Sequence, residues 1–314
     1  MALVTTKEMF DKAYKSRFAI GAFNINNMEI IQAVTRGAKA YNSAVILQVS
    51  RSALKYAGVR YLLGMVNAAI DETGVNLALH LDHGPDFETV KYCVDNGFTS
   101  VMFDGSHYEY EENVEKTIEA VKYAHSKGVV VEAELGKLAG VEDEVNVHSA
   151  NATYTDPDQA VDFISRTGVD SLAIAIGTSH GAYKFTGEAK LDFDRLAVIT
   201  QKLEAAGFAN YPIVLHGASS VDREYINLCN EYGGKMGGAS GIPNEMLRKA
   251  ASMAVCKINI DTDIRLAMTA AIRKHFGEKP ESFDPRGYLG DARNLIENLV
   301  KIKIADTLGS KDSL

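Results

Sequence analysis

The residues of this chain best suited to chemistry stand where apolar runs end. LALHLDHGPD (77–86) carries an apolar run into His80, Asp82 and His83 ahead of a glycine–proline turn. Burying a carboxylate and two imidazoles is unfavourable unless a metal or hydrogen-bond partners satisfy them. The placement recurs. Asp104 closes TSVMFDG, Glu132 and Glu134 share parity in VVVEAEL, and His180 follows SLAIAIG in GTSHG. His216 stands in PIVLHG, and Asn259 and Asp261 close VCKINID. A lone histidine at such a position is most simply a hydrogen-bonded structural residue. Three on separate strands of one rim, with a fourth position open, are the donor set of a catalytic zinc. His83, His180 and His216 are therefore the candidate ligands. His80 lies deeper and reads as a supporting residue, and His107 stays outside the ligand set. His125, His148 and His275 fall on helix or loop segments. Asp82 either orients a ligand histidine or does acid–base work on a metal-bound substrate. Asp104 and Glu134 either hold a second cation or fix histidine orientation.

These residues need elements to aim them, and the chain supplies a regular alternation. Strand-like runs at 18–24, 44–50, 76–82, 99–105, 129–135, 171–177, 212–217 and 255–261 alternate with helical periods. The helices are expected at 27–42, 59–72, 86–96, 111–127, 156–167, 192–206, 222–232 and 243–253. Asp86 and Asp156 are capping carboxylates, the latter ahead of a proline at the first helical position. Eight strands alternating with helices predict a single (β/α)8 TIM barrel over 1–314, with extra C-terminal helices at 261–276 and beyond about 284. FAIGAFNINNME lacks the GxGxxG of a doubly wound dinucleotide fold. In such a barrel, chemistry sits at the carboxyl ends of the strands, where the polar residues above fall.

Two loop features add to the site. Residues 136–155 form a twenty-residue connection with no clear element, read as a closing lid hinged at Gly136 and Gly140 and carrying Glu142, or else as a surface insertion. GTSHGAYK (177–184) and HGASS (216–220) place glycines and hydroxyls after strands, where backbone N–H groups can cradle a phosphate, with Lys184 adding charge. GGKMGGASG (233–241) is no Walker loop, since its lysine is misplaced and no strand precedes it.

Bulk properties narrow the class. The formal charge of −8 argues against nucleic-acid or anionic-membrane partners. The three cysteines, Cys93, Cys229 and Cys256, lack metal or redox spacing. No signal-like start and no apolar run of about 20 residues is present, so a cytoplasmic protein is expected.

Taken in order, HLDHG, FDGSH, EAELGKLAGVEDE, GTSHGAYK, LHGASS and KINIDTDIR resemble the class II, metal-dependent ketose-bisphosphate aldolases, the fructose-1,6-bisphosphate enzymes in particular. The likeness runs from AFNINNME to FDPRGYLGDAR. It implies reversible cleavage of fructose 1,6-bisphosphate to dihydroxyacetone phosphate and glyceraldehyde 3-phosphate, in glycolysis and gluconeogenesis. His83, His180 and His216 then match the Zn2+ ligands, and Asp82 the acid–base residue at the C4 hydroxyl. Glu142 matches the carboxylate that exchanges the C3 proton, although Val141 stands where some members carry a second glutamate. Asp104 and Glu134 match a second divalent-cation position. Gly181, Lys184, Gly217 and Ser219, with Thr262 nearby, match one phosphate pocket. Ser50 and Arg286 match contacts to the other phosphate, the arginine from a neighbouring subunit. Asn24, Asn259 and Asp261 face the substrate. Carbonyls of Gly181 and Gly217 match a monovalent cation site (Na+ or K+), and the assembly is expected to be a homodimer or homotetramer. The rivals are a tagatose-1,6-bisphosphate aldolase, which differs at C4, a Schiff-base aldolase using Lys257, a metal-dependent hydrolase, and a non-catalytic metal-binding barrel. Lys257 is read instead as a cation that neutralises interior carboxylates.

Overall fold

In the computed structural model, which describes residues 3–142, 145–147, 152–181 and 189–313, the apolar runs pair edge to edge until the sheet closes on itself. In chain order the strands are β1 (Ile20–Asn24), β2 (Val45–Ser50), β3 (Leu77–Gly84), β4 (Ser100–Phe103), β5 (Val130–Leu135) and β6 (Ala139–Glu142). They continue as β7 (Val145–Val147), β8 (Ser171–Ile174), β9 (Ser179–His180), β10 (Ile213–Leu215) and β11 (Val255–Ile260). Eight of them form the closed barrel β1-β11-β10-β8-β5-β4-β3-β2, with parallel neighbours. All eight expected barrel strands are present. Their runs are apolar because strands wrapped by helices are buried on both faces.

The helices are α1 (Thr6–Ser16), α2 (Met28–Ala40), α3 (Arg51–Ala57), α4 (Val59–Thr73), α5 (Phe87–Asp95) and α6 (Tyr110–Ser126). They continue as α7 (Pro157–Thr167), α8 (Phe193–Ala205), α9 (Arg223–Glu231), α10 (Asn244–Ala251), α11 (Thr262–Glu278) and α12 (Pro285–Ile302), ending in a short π-helix over Lys303–Leu308. Both expected caps form: Asp86 accepts from Thr89 N at 2.7 Å, and Asp156 from Asp158 N and Gln159 N at 2.8 and 3.0 Å. α12 packs on α2 and α11, outside the barrel as expected.

Two features depart from the sequence reading. First, α1 precedes the alternation and plugs the barrel. Its Met9, Phe10 and Ala13 pack with Ile20, Ala44, Ile46 and Ala78 at the amino ends of the strands. That apolar floor leaves the opposite mouth for polar residues. Second, the expected lid is no featureless connection. β6 and β7 form an antiparallel hairpin, and β6 also pairs in parallel with β9. The reason lies in GVEDEVNV, whose valines at 141, 145 and 147 favour extended backbone. Gly140 is therefore a paired strand residue rather than a hinge. A Cβ there would lie 2.3 Å from the His180 carbonyl oxygen.

Above the floor, the interior becomes polar. His80, Ser100, Glu132 and Lys257 are all buried within it. Lys257 Nζ sits 2.9 Å from Glu132 Oε2, and His80 Nδ1 2.8 Å from Ser100 Oγ. Lys257 is therefore the cation that neutralises an interior carboxylate.

Candidate active site

Asp82 and His83 are neighbours in β3, and regular alternation would send them to opposite faces. A bulge prevents this. Leu81 pairs with Val101 but Gly84 with Phe103, so three steps on β3 match two on β4. His83 takes the extra position with φ 49°, a left-handed conformation uncommon for a non-glycine residue. A Cβ at the following Gly84 would lie 2.4 Å from the Met102 carbonyl oxygen, so only glycine lets the strands meet there. The kink lets both side chains bring donor atoms into one cluster with His216.

Asp82 is 1% exposed and is held by three carboxamides. Asn24 Nδ2 and Gln48 Nε2 donate to its Oδ2 at 2.8 and 3.3 Å, and Asn259 Nδ2 donates to its Oδ1 at 3.1 Å. Gln48 also donates to Asn24 Oδ1. Sequence reasoning missed Gln48. Its signal was a lone amide inside the apolar run AVILQVS, two residues from Ser50.

His83 meets anions instead. Its Nδ1 lies 2.7 Å from Asp104 Oδ2 and 3.8 Å from Glu134 Oε2. Burial alone would lower the imidazole's proton affinity. The Asp104 hydrogen bond and the charges of Asp82, Asp104 and Glu134 override it and push the pKa up to about 10. Asp104 is held below the usual carboxylate range: burial opposes this, and the hydrogen bond and charge of His83 outweigh it. Glu134 is raised by burial and by Asp104. His216 is lowered by burial and by the charges of His83 and Lys257.

The ring nitrogens then converge. His216 Nε2 lies 2.7 Å from Glu132 Oε1, and its Nδ1 faces His83 Nε2 at 2.8 Å. In both rings one nitrogen is engaged by a carboxylate, which turns the other inward. Second-layer carboxylates orient metal-binding imidazoles in this way. Glu132, recognised from the sequence only by its parity with Glu134, is thus the residue that orients His216. His180 stands beside them on β9, its ring centroid 5.2 Å from that of His83 and 6.5 Å from that of His216, outside the two groups of donor atoms that approach within 4.8 Å of one another.

This donor set fits a divalent cation. Among the described residues, Asp82, His83 and His216 bring ligand atoms within 4.8 Å of one another, and so do His83, Asp104 and Glu134. Buried Glu134 Oε2 and Asn259 Oδ1 have no hydrogen-bond partner among the described residues. The anionic surroundings that raise His83 also favour a metal's positive charge beside it.

Flanking loops carry the residues expected at the phosphates. A cavity of about 350 Å³ is lined by Asn24, Ser50, Ser52 and Arg265, among others. Arg265, which the sequence reading passed over, pairs with Asp261 at 2.6 Å. Gly181 and Gly217 have φ of 82° and 58°, and a Cβ on Gly217 would lie 2.6 Å from the Ser179 backbone. Ser219 Oγ accepts from Asp261 N at 3.3 Å, next to Thr262 at the start of α11.

Arg286, expected at a phosphate, does not join this cluster, and neither do His125 and His275, which the sequence already leaves on helix or loop segments. Arg286 is exposed on α12 and pairs with Asp284 at 2.7 Å. His125 pairs with Asp170, and His275 lies between Asp291 and Ser282 on the outer helices. Lys184, His148 and the side chain of Glu142 lie outside the described residues; the backbone of Glu142 pairs with Val145.

The profile of the family described as fructose-bisphosphate aldolase class-II matches residues 4–313. The chain is 47% identical over 307 residues to a fructose-bisphosphate aldolase of Giardia intestinalis, covering 97% of this chain and 92% of that one. It is 48% identical over 302 residues to the enzyme of that name from Thermus caldophilus, covering 96% and 97%. Among solved structures, the YdjI aldolase of Escherichia coli K12 superposes with a TM-score of 0.79 at 29% identity, covering 99% of this chain and 98% of that one.

Proposed function

The chain belongs to the class II, metal-dependent fructose-bisphosphate aldolases, and on that premise we propose how its residues divide the reaction. His83, His180 and His216 would hold the divalent metal, read here as zinc. When bound, it supplies a Lewis-acid centre that polarises the C2 carbonyl. Asp82 takes the proton of the C4 hydroxyl, that oxygen becomes the aldehyde of glyceraldehyde 3-phosphate, and the C3–C4 bonding pair passes to the dihydroxyacetone phosphate half. Glu142 delivers a proton to C3. Condensation runs the same transfers backwards. Asn24, Gln48 and Asn259 hold the Asp82 carboxylate in place, so little of its reach depends on side-chain rotation.

Gly181, Lys184, Gly217 and Ser219, beside Thr262, would bind one phosphate. Ser50, with Arg265 on the same cavity wall, would bind the other. Asp261 faces the sugar backbone. Arg286, 89% exposed on its side chain, would serve the pocket of a second copy in a homodimer or homotetramer. Asp104 and Glu134 would admit a second divalent cation, and the Gly181 and Gly217 carbonyls a monovalent one. No described helix is long and apolar enough to cross a membrane; the cytoplasmic setting is part of the proposal.

The observation that carries this reading is the bulge at His83, which lets donor atoms of the adjacent residues Asp82 and His83 meet His216 in one cluster. The test is cleavage of fructose 1,6-bisphosphate and its tagatose epimer before chelation, after it, and after zinc is restored. Loss on chelation, recovery with zinc and a faster rate on the fructose epimer are expected. Activity in a verified metal-free preparation would move the chemistry to Lys257, and a faster rate on the tagatose epimer would change the substrate.

A further inference from the structure

The loop after β10 is held by an ion pair that the chemistry above does not use. Asp263 is fully buried in the first turn of α11, and Lys303, 1% exposed, opens the terminal π-helix. Lys303 Nζ lies 3.0 Å from Asp263 Oδ2 and 3.0 Å from Asp222 Oδ2, and donates to Asn244 Oδ1 at 3.1 Å. Asp222 stands at the N-cap of α9 but makes no side-chain cap bond there; it turns to Lys303 instead. The carboxylate of Asp263 in turn accepts from two successive backbone amides, Ser220 N at 3.0 Å and Val221 N at 2.6 Å.

Val221 is the telling residue. Its φ is 53°, in the left-handed region that β-branched side chains avoid. Such a conformation persists only where the surroundings over-determine it. Asp263 supplies the constraint, and Lys303 holds that carboxylate in place. Ser220 Oγ adds a bond to Asn244 Oδ1, which also accepts from Thr307 Oγ1 at 2.9 Å in the π-helix. The C-terminal segment thus grips the loop directly after Gly217 and Ser219.

We infer that Lys303 and Asp263 are positioning residues for the phosphate loop, and that they act by holding Val221 in its left-handed conformation. The inference rests on the reading of Gly217 and Ser219 as a phosphate subsite. Without the pair, Val221 relaxes toward a favoured region and the loop leaves its binding shape. Substrate must then bind the small fraction of molecules that keep it, which weakens apparent affinity without altering the proton-transfer groups.

Lys303→Met and the isosteric Asp263→Asn, each in the zinc-loaded enzyme, test this alone and combined with Val221→Gly. Glycine adopts positive φ without steric cost, so it removes the need for the clamp. With Val221 present, either substitution is expected to raise KM for fructose 1,6-bisphosphate about tenfold with kcat changed far less, the factor reflecting the strain of a left-handed valine. In the Val221→Gly background, the same substitution should raise KM by less than about threefold. Hydrogen exchange at the Ser220 and Val221 amides should accelerate in parallel. A lowered melting temperature with KM and exchange unchanged would overturn the inference, as would an equal rise in KM in both backgrounds. Asp263→Asn keeps the test open should Lys303→Met not fold. Ser219→Ala separates the two readings. If it leaves KM unchanged while the clamp variants accelerate amide exchange, the phosphate assignment fails and the clamp stands.

Discussion

Asp82 and His83 share a peptide bond but live in opposite electrostatic surroundings. The β1–β2 side of the mouth meets Asp82 with uncharged amides from Asn24 and Gln48, joined by Asn259 of β11. The β4–β5 side meets His83 with the carboxylates of Asp104 and Glu134. Amide donors fix a carboxylate without neutralising it, which leaves it able to take and return a proton. Carboxylates around an imidazole favour positive charge at that point, either a proton or a metal. On the proposed reading, one bulged strand serves a site for proton transfer and a site for a cation, with the distinction built by neighbouring strands.

The largest test of the contrast removes its proton-transfer half. Asp82→Ala should lower kcat for cleavage by about a thousandfold, the scale of general acid–base catalysis, while bound zinc measured by atomic emission stays at one per chain. Next comes the support beneath both halves. Lys257→Met leaves buried Glu132 without its cation and should cost about 3–5 kcal/mol of stability, read from denaturant unfolding. Residual cleavage in that variant should still depend on zinc, which a Schiff-base mechanism forbids. Asp104→Asn makes the His83 side resemble the Asp82 side. Zinc affinity in a competition titration should fall about 10–100-fold, and an unchanged affinity would show that Asp104 does not tune the ligand. The smallest effect is expected from Gln48→Leu. With Asn24 and Asn259 still donating, kcat should fall about tenfold and zinc affinity should hold.

The barrel was legible because its strands are buried on both faces and so stand out as apolar runs between amphipathic helices. Elements outside that alternation were harder to see. α1 carries Met9, Phe10 and Ala13 at helical spacing, yet nothing local says that they fill the floor of a barrel whose strands come later. The β6–β7 hairpin hides in a segment whose length suggests a loop, and its partner β9 lies 37 residues beyond Glu142 at Ser179. In the site, histidines and aspartates announced themselves by being out of place in apolar surroundings. Gln48 and Glu132 act through other residues, so their meaning appears only when β2 meets β3 and β5 faces β10. The left-handed turns at His83 and Val221 carry no glycine to mark them. They are imposed by tertiary contacts.

On the proposed mechanism, Asp82 and the metal-side residues perform separable steps, and Glu142 exchanges the C3 proton. The most direct measurement is solvent deuterium entering C3 of dihydroxyacetone phosphate, followed by NMR, in zinc-loaded Asp82→Ala beside its cleavage rate. Exchange is expected to continue while cleavage is lost. Exchange and cleavage lost together, with zinc still bound, would contradict it.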